Sequence, residues 1–151
     1  MLQGIDYLPQ PPKINSIALN DLTVLTGTLY GEARGCSETA QQDVAQAILN
    51  RYHSGWGSSV KSVCLAPWQF SCWNSADPNR AKILEAYHTD PVVWEHLLKI
   101  ACQALAGNNP NRIGGADSYF ARTMRNKPYW AKAPAVQTYV DDAHVFWRVR
   151  R

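Results

Sequence analysis

The run Tyr30-Gly31-Glu32-Ala33-Arg34-Gly35 places one carboxylate between two glycines. Glycine has no side chain, so Gly31 and Gly35 leave room on both sides of Glu32 for a substrate to approach. Leu22, Leu25 and Leu29 recur at three and four just before it, the spacing of an amphipathic helix face, which puts Glu32 at a helix C-terminus. The partial negative charge of that terminus disfavours an ionised carboxylate, and burial acts in the same direction. Both effects push Glu32 toward donating a proton near neutral pH, as a general acid must. The competing reading pairs Glu32 with Arg34 or makes it a plain helix end, and local spacing leaves the two open.

Metal chemistry has less support. His53, His88, His96 and His144 form no HExxH or other recognisable pairing, and Cys36, Cys64, Cys72 and Cys102 contain no CxxC. The cysteines read as buried reduced thiols, with a Cys64–Cys72 disulfide open to an oxidising compartment. No metal or other cofactor is expected.

The elements that must position Glu32 have recognisable starts and stops. Asn20 or Asp21 can cap the first helix, which ends between Gly31 and Gly35. Ser37 or Thr39 can cap the second, with Thr39 and Gln42 resembling a capping box and Ala40, Val44, Ala47 and Ile48 forming a stripe that runs to about His53. Ser54, Gly55 and Gly57 stop it. A helical turn over 58–64 leads into an aromatic loop over 68–73. Asp77-Pro78 opens a short helix over 80–87. The best-marked helix follows, with Asp90 as cap, Pro91 in the first turn, the stripe Val93, Leu97, Ile100, Ala104, and a closing Gly107. Residues 108–134 lose all periodicity, and so long an irregular stretch is functional or floppy. Two strands about Asp141-Asp142, over 136–140 and 144–149, put Val145, Trp147 and Val149 on one face.

The 151 residues, 46% apolar and 18% charged, suit one core and exclude a disordered chain. The fold class is mainly α (α+β), a single domain over 19–151 with a small β-hairpin, preceded by a proline-rich arm over 1–18. A net charge of +3 is too small and too scattered for a nucleic-acid binder, and Arg148, Arg150 and Arg151 read as a solvated end. Six Trp, seven Tyr and three Phe allow a glycan or peptide cleft, since amphipathic rings cover an apolar sugar face while their edges hydrogen-bond. No stretch approaches a membrane span, and residues 1–13 lack the basic start and apolar run of an export signal.

A resemblance joins these pieces. Tyr30 to Gly35, then Gln41, Ala45 and Leu49-Asn50-Arg51, then Gln69-Phe70-Ser71 followed by Trp73, then Gly115-Ala116 with Tyr119, and last His144 with Phe146 keep an order similar to that of the spore-cortex-lytic family of cell-wall hydrolases. Together they span residues 20–148. Cys36 departs from the acidic residue common after Gly35, and residues 122–140 fit the pattern loosely. The resemblance implies a lysozyme-like, mostly helical fold that cuts peptidoglycan glycan strands between N-acetylmuramic acid and N-acetylglucosamine, with Glu32 as catalytic glutamate. Tyr119 is then a hydroxyl donor near the reacting sugar or else a core tyrosine. Gln69, Ser71, Trp73, Ala116 and His144 are the expected substrate contacts, with loop capping or core packing as the other reading of each.

Glycosidases generally use two carboxylates, yet Glu38, Asp43, Asp77, Asp117, Asp141 and Asp142 have no claim from spacing. One carboxylate suffices if the muramic acid 6-hydroxyl is the nucleophile and leaves a 1,6-anhydro product. This favours a lytic transglycosylase over a water-using muramidase. The rivals from other classes are a zinc amidase cutting the wall peptide and a non-catalytic glycan-binding module. With no export signal of its own, the chain is expected to be a monomeric phage endolysin. It would be made in the host cytoplasm and reach a thin wall from the periplasm after a separate protein permeabilises the membrane.

Overall fold

Helix α1 (Asp21–Ala33) begins where the Asn20 side chain accepts the Thr23 backbone N–H at 2.9 Å, a standard N-cap that satisfies one orphan donor. A computed structural model describes residues 20–149, so the arm over 1–18 and residues 150 and 151 lie outside the described residues. The expected amphipathic face of α1 is not what forms. Every residue from 24 to 30 is buried, because α1 runs through the middle of the molecule and touches all four other helices. Its two buried threonines fit there because each hydroxyl donates to a carbonyl one turn back, Thr26 to Leu22 and Thr28 to Val24, both at 2.7 Å.

The remaining helices wrap α1. Helix α2 (Glu38–His53) is capped by Ser37, whose hydroxyl accepts the Ala40 N–H at 3.1 Å; the Thr39–Gln42 box is not used. Helix α3 (Val60–Leu65) carries a full capping box between Ser59 and Ser62. A 3-10 turn (Ser71–Trp73) lies within the aromatic loop, and α4 (Pro78–Thr89) is capped by Asp77 through the Asn79 N–H. Helix α5 (Pro91–Leu105) starts at Pro91, but Asp90 does not cap it. The Asp90 carboxylate instead accepts the Tyr30 hydroxyl at 2.9 Å, so a residue expected to start one helix ties it to another.

Strands β1 (Ser118–Ala121), β2 (Val136–Val140) and β3 (His144–Arg148) form an antiparallel sheet in the order β1-β3-β2. The β2–β3 hairpin is the expected one, and β1 comes from the stretch read as irregular. Four residues flanked by turns carry too little period to show a strand; β1 exists because it pairs with β3, Tyr119 opposite Phe146. Burial along β3 does not follow the two-residue alternation of its faces. His144, Phe146 and Trp147 are buried and Val145 is only partly so, since a central strand covered on both faces does not alternate.

The main core gathers the five helices, and a smaller cluster of Ala47, Ile113, Ala116 and Phe146 joins α2 to the sheet. Tyr119 packs against both clusters, at the seam between helices and sheet.

Candidate active site

Glu32 occupies the last turn of α1, half-buried, at the floor of a 1510 Å³ cleft between the helical layer and the sheet. Arg34 does not pair with it: one guanidinium nitrogen donates to the Tyr30 carbonyl and another to Asn79 Oδ1, with the group stacked over the Tyr30 ring. The partner of Glu32 comes from the opposite wall. The Tyr119 hydroxyl, delivered by β1, donates to Glu32 Oε1 at 2.9 Å. Burial first, and the neighbouring Glu32 charge second, hold the Tyr119 phenol well above its ordinary pKa, so it stays a donor.

Gly31 has a different task from the one expected. A Cβ there would lie 2.6 Å from Cys72 Cβ and 2.8 Å from both Cys72 Sγ and Ile83 Cδ1, so the missing side chain admits the 3-10 turn and not a substrate. Gly27, one turn earlier, makes the matching hollow for Ile83 and the Trp73 ring. This close approach puts the buried Cys72 thiol beside the Glu32 carboxyl. Desolvation, reinforced by the Glu32 charge, raises the Cys72 pKa strongly, which keeps the thiol protonated. A Cβ at Gly35 would meet nothing within 4 Å, but Gly35 does not line the cleft. All four cysteines are free; Cys64 and Cys72 are buried, whereas Cys36 is partly exposed and Cys102 exposed.

Arg51 is the cleft residue whose role the sequence did not reveal. Its guanidinium is sandwiched between Trp56 and Phe70, 5.0 and 4.7 Å from the ring centroids, and its Nε donates to the Asp117 carbonyl at 2.6 Å. Its Nη1 donates to Gln69 Oε1 at 3.3 Å. With that oxygen engaged, Gln69 offers its amide N–H groups to the cleft, suited to a carbonyl on a substrate. The signal available in sequence was Leu49-Asn50-Arg51, but what Arg51 touches is set by chain segments far from it.

Of the expected substrate contacts, Gln69, Ser71 and His144 line the cleft together with Glu32 and Tyr119. Trp73 and Ala116 do not. The Trp73 Nε1–H donates to Thr28 Oγ1 at 2.9 Å while its ring fills the hollow over Gly27, and Ala116 is fully buried beside Phe146, its carbonyl accepting from Asn50. The exposed aromatic positions are others. Trp68 is 89% and Tyr129 87% exposed, both on the cleft rim with Trp130 and Met124. Trp68 also holds φ at +66°, a conformation that bulky residues rarely adopt and that concentrates at functional sites.

Among the described residues lining the cleft, Glu32 is the only carboxylate. Asp77 is spent capping α4, Asp117 is buried and accepts the Val149 N–H and the Ser118 hydroxyl, and Asp142 accepts from Ser37. Glu38 lies on exposed surface near His96. Asp43 and Asp141 are buried behind the sheet.

A small α+β domain whose cleft is lined by a lone carboxylate, with a tyrosine hydroxyl donating to it and an aromatic rim, has the makings of a glycan-cutting enzyme. A family model described as Cell Wall Hydrolase matches residues 35–147, about three quarters of the chain, and the chain belongs to that family. Its general activity is therefore degradation of the peptidoglycan wall. The matched span opens just after Glu32, so the case for Glu32 rests on the geometry above. Comparison with curated proteins and with solved structures found no match.

Proposed function

We propose that this chain cleaves the β-1,4 bond between N-acetylmuramic acid and N-acetylglucosamine as a lytic transglycosylase, with Glu32 acting first as acid and then as base. The observation that carries this reading is the Tyr119–Glu32 hydrogen bond in a cleft whose described lining holds no second carboxylate. Tyr119 occupies Oε1, which leaves Oε2 to carry the proton. Glu32 protonates the bridging oxygen as the bond to the muramic acid C1 breaks and positive charge develops on the ring. The C6 hydroxyl of the same sugar then attacks C1 and returns its proton to Glu32, so the 1,6-anhydro product forms and the acid is regenerated. Gln69 and Ser71 hydrogen-bond acetamido or hydroxyl groups, and Trp68 and Tyr129 supply flat faces for neighbouring sugars.

Mass spectrometry of muropeptides released from purified peptidoglycan tests this. Anhydro-muramic ends are expected, ordinary reducing ends would establish the water-using muramidase instead, and intact glycan with severed stems would overturn both. The biological role belongs to the same proposal: an endolysin made in the host cytoplasm that reaches the periplasmic face of the wall after the membrane is opened. Expression in a Gram-negative host should leave cells intact until a pore-forming protein or chloroform is added; lysis without either would count against it.

A further inference from the structure

Behind the cleft wall lies a cluster that the reaction above does not use. Asp43, on α2, is fully buried, and its Oδ1 accepts from Arg112 Nη1 at 2.7 Å. Asp141, which opens the β2–β3 turn, is also buried, and its Oδ1 accepts the backbone N–H groups of Ala143 and His144 at 2.8 and 2.6 Å. The two carboxyl groups are close enough to act on one another. Yet in each of them Oδ2 is buried and meets no N–H or O–H of any other group. Two carboxylates cannot hydrogen-bond without a proton, and buried oxygens left without a donor are costly. A single proton shared by the two carboxyl groups removes both problems at once.

The cluster leads directly to the catalytic wall. His144 Nδ1 is 3.5 Å from Asp141 Oδ1 and has no hydrogen-bond partner. Its ring stands edge-on to Tyr119, centroids 5.0 Å apart, and Tyr119 reaches Glu32. Resting on the reading of Glu32 as catalytic acid, we propose that Asp43 and Asp141 share one buried proton and thereby act as positioning residues, fixing the β2–β3 turn so that His144 holds the Tyr119 hydroxyl on Glu32.

The arrangement is sensitive to pH in a stated direction. Burial, and next the Asp141 hydrogen bond, push Asp43 up to about 6, against the pull of Arg112. Burial lowers the pKa of His144, so the imidazole stays neutral beside the pair. The other groups facing the cluster are Asp142 in the same turn, Cys36 just after α1, whose thiol burial keeps protonated, and Tyr119 and Glu32 across the sheet. Among the described residues Arg112 is the one arginine or lysine in ion-pair contact with the cluster, through Asp43 alone. Once the shared proton leaves, two buried negative charges face one another with a single counter-charge, and the turn carrying His144 is driven off α2.

Two measurements on the full chain test this. In carbon-13 NMR of the aspartate carboxyls, one carboxyl should take up its proton near pH 6, coupled to a second whose shift moves with it; every aspartate fully ionised at pH 5 would overturn the proposal. In the pH profile of kcat, Asp43→Asn supplies a permanent N–H donor to Asp141 while its carbonyl still accepts from Arg112. The alkaline limb should move up by at least one pH unit, raising the variant-to-parent ratio about tenfold between pH 5 and pH 8 with KM unmoved. A purely structural role would scale activity equally at every pH, and a limb unmoved by the variant refutes the positioning role. Failure of the functional reading would be seen separately, as turnover retained by Glu32→Gln, and would remove the reaction the pair serves; the NMR titration does not depend on turnover.

Discussion

Replacing Gly31 with alanine sets two known effects against each other. Alanine is favoured over glycine inside a helix by about 1 kcal/mol, so Gly31→Ala would stabilise α1 if nothing touched the new methyl. The methyl would, however, sit 2.6 Å from Cys72 Cβ, where ordinary contacts begin at 3.4 Å, so the 3-10 turn must retreat by roughly 0.8 Å. Cys72 is buried and its Cβ cannot rotate away, which puts the steric cost toward the upper part of the usual range of about 1–3 kcal/mol. The net loss is then about 1–2 kcal/mol, a fall in Tm of roughly 2–8 °C for a chain this size. Activity should fall further than stability, because the shift is adjacent to Glu32 and a misplacement near 1 Å can cost about 100-fold. Thermal unfolding together with lysis of purified peptidoglycan measures both. Gly35→Ala, whose methyl meets nothing, is the stability control, and Cys72→Gly in the Gly31→Ala background should recover much of the loss. A Gly31→Ala protein that is more stable and fully lytic would refute the packing argument.

Other expected outcomes follow from single contacts. Tyr119→Phe removes a charge-assisted hydrogen bond of about 1.5–3 kcal/mol from Glu32, so kcat should drop about 10–150-fold while Tm moves little, the freed carboxylate oxygen being open to cleft water; equal kcat would remove Tyr119 from the site. Trp68→Ala should raise KM on glycan strands by about tenfold and leave Tm unchanged, because an 89% exposed ring contributes binding area and no core; a fall in Tm with constant KM would contradict this. The raised Asp43 pKa means that the folded chain holds a proton the unfolded chain releases above about 3.8, so this group's stabilisation is complete below that pH and is lost as pH rises through about 6. His144 acts oppositely, since its lowered pKa gives stability above 6.5 that is lost as pH falls. The Tm difference between Asp43→Asn and the parent isolates the first effect and should widen in the variant's favour from pH 4 to pH 7; a constant difference would show that Asp43 is ionised throughout.

Contacts between near neighbours are legible in the sequence, and contacts between distant segments are not. Asn20, Ser37 and Asp77 announced their helices because a cap is a contact between near neighbours. Asp90 carried the same signal and was drawn away by Tyr30, a partner that sequence distance hides. Gly31 was visible as a glycine needed beside Glu32, but the group it makes room for is Cys72, which only the packed chain brings there. Strand β1 was missed because its stability lies in pairing with β3, and Arg51 because its stacking partners come from two other segments. Asp43 and Asp141 look in sequence like a helix-face residue and a turn residue; Asp141 does bind the turn with one oxygen, and only the other oxygen, buried without a donor near Asp43, shows that more is asked of it.

The central claim is that Glu32 carries the proton for bond cleavage. Glu32→Gln keeps the size of the side chain and can still accept from Tyr119, so it should fold with the parent Tm, yet release no soluble muropeptide from purified peptidoglycan at any pH between 5 and 8. A folded Glu32→Gln protein that solubilises the wall at the parent rate would contradict the account.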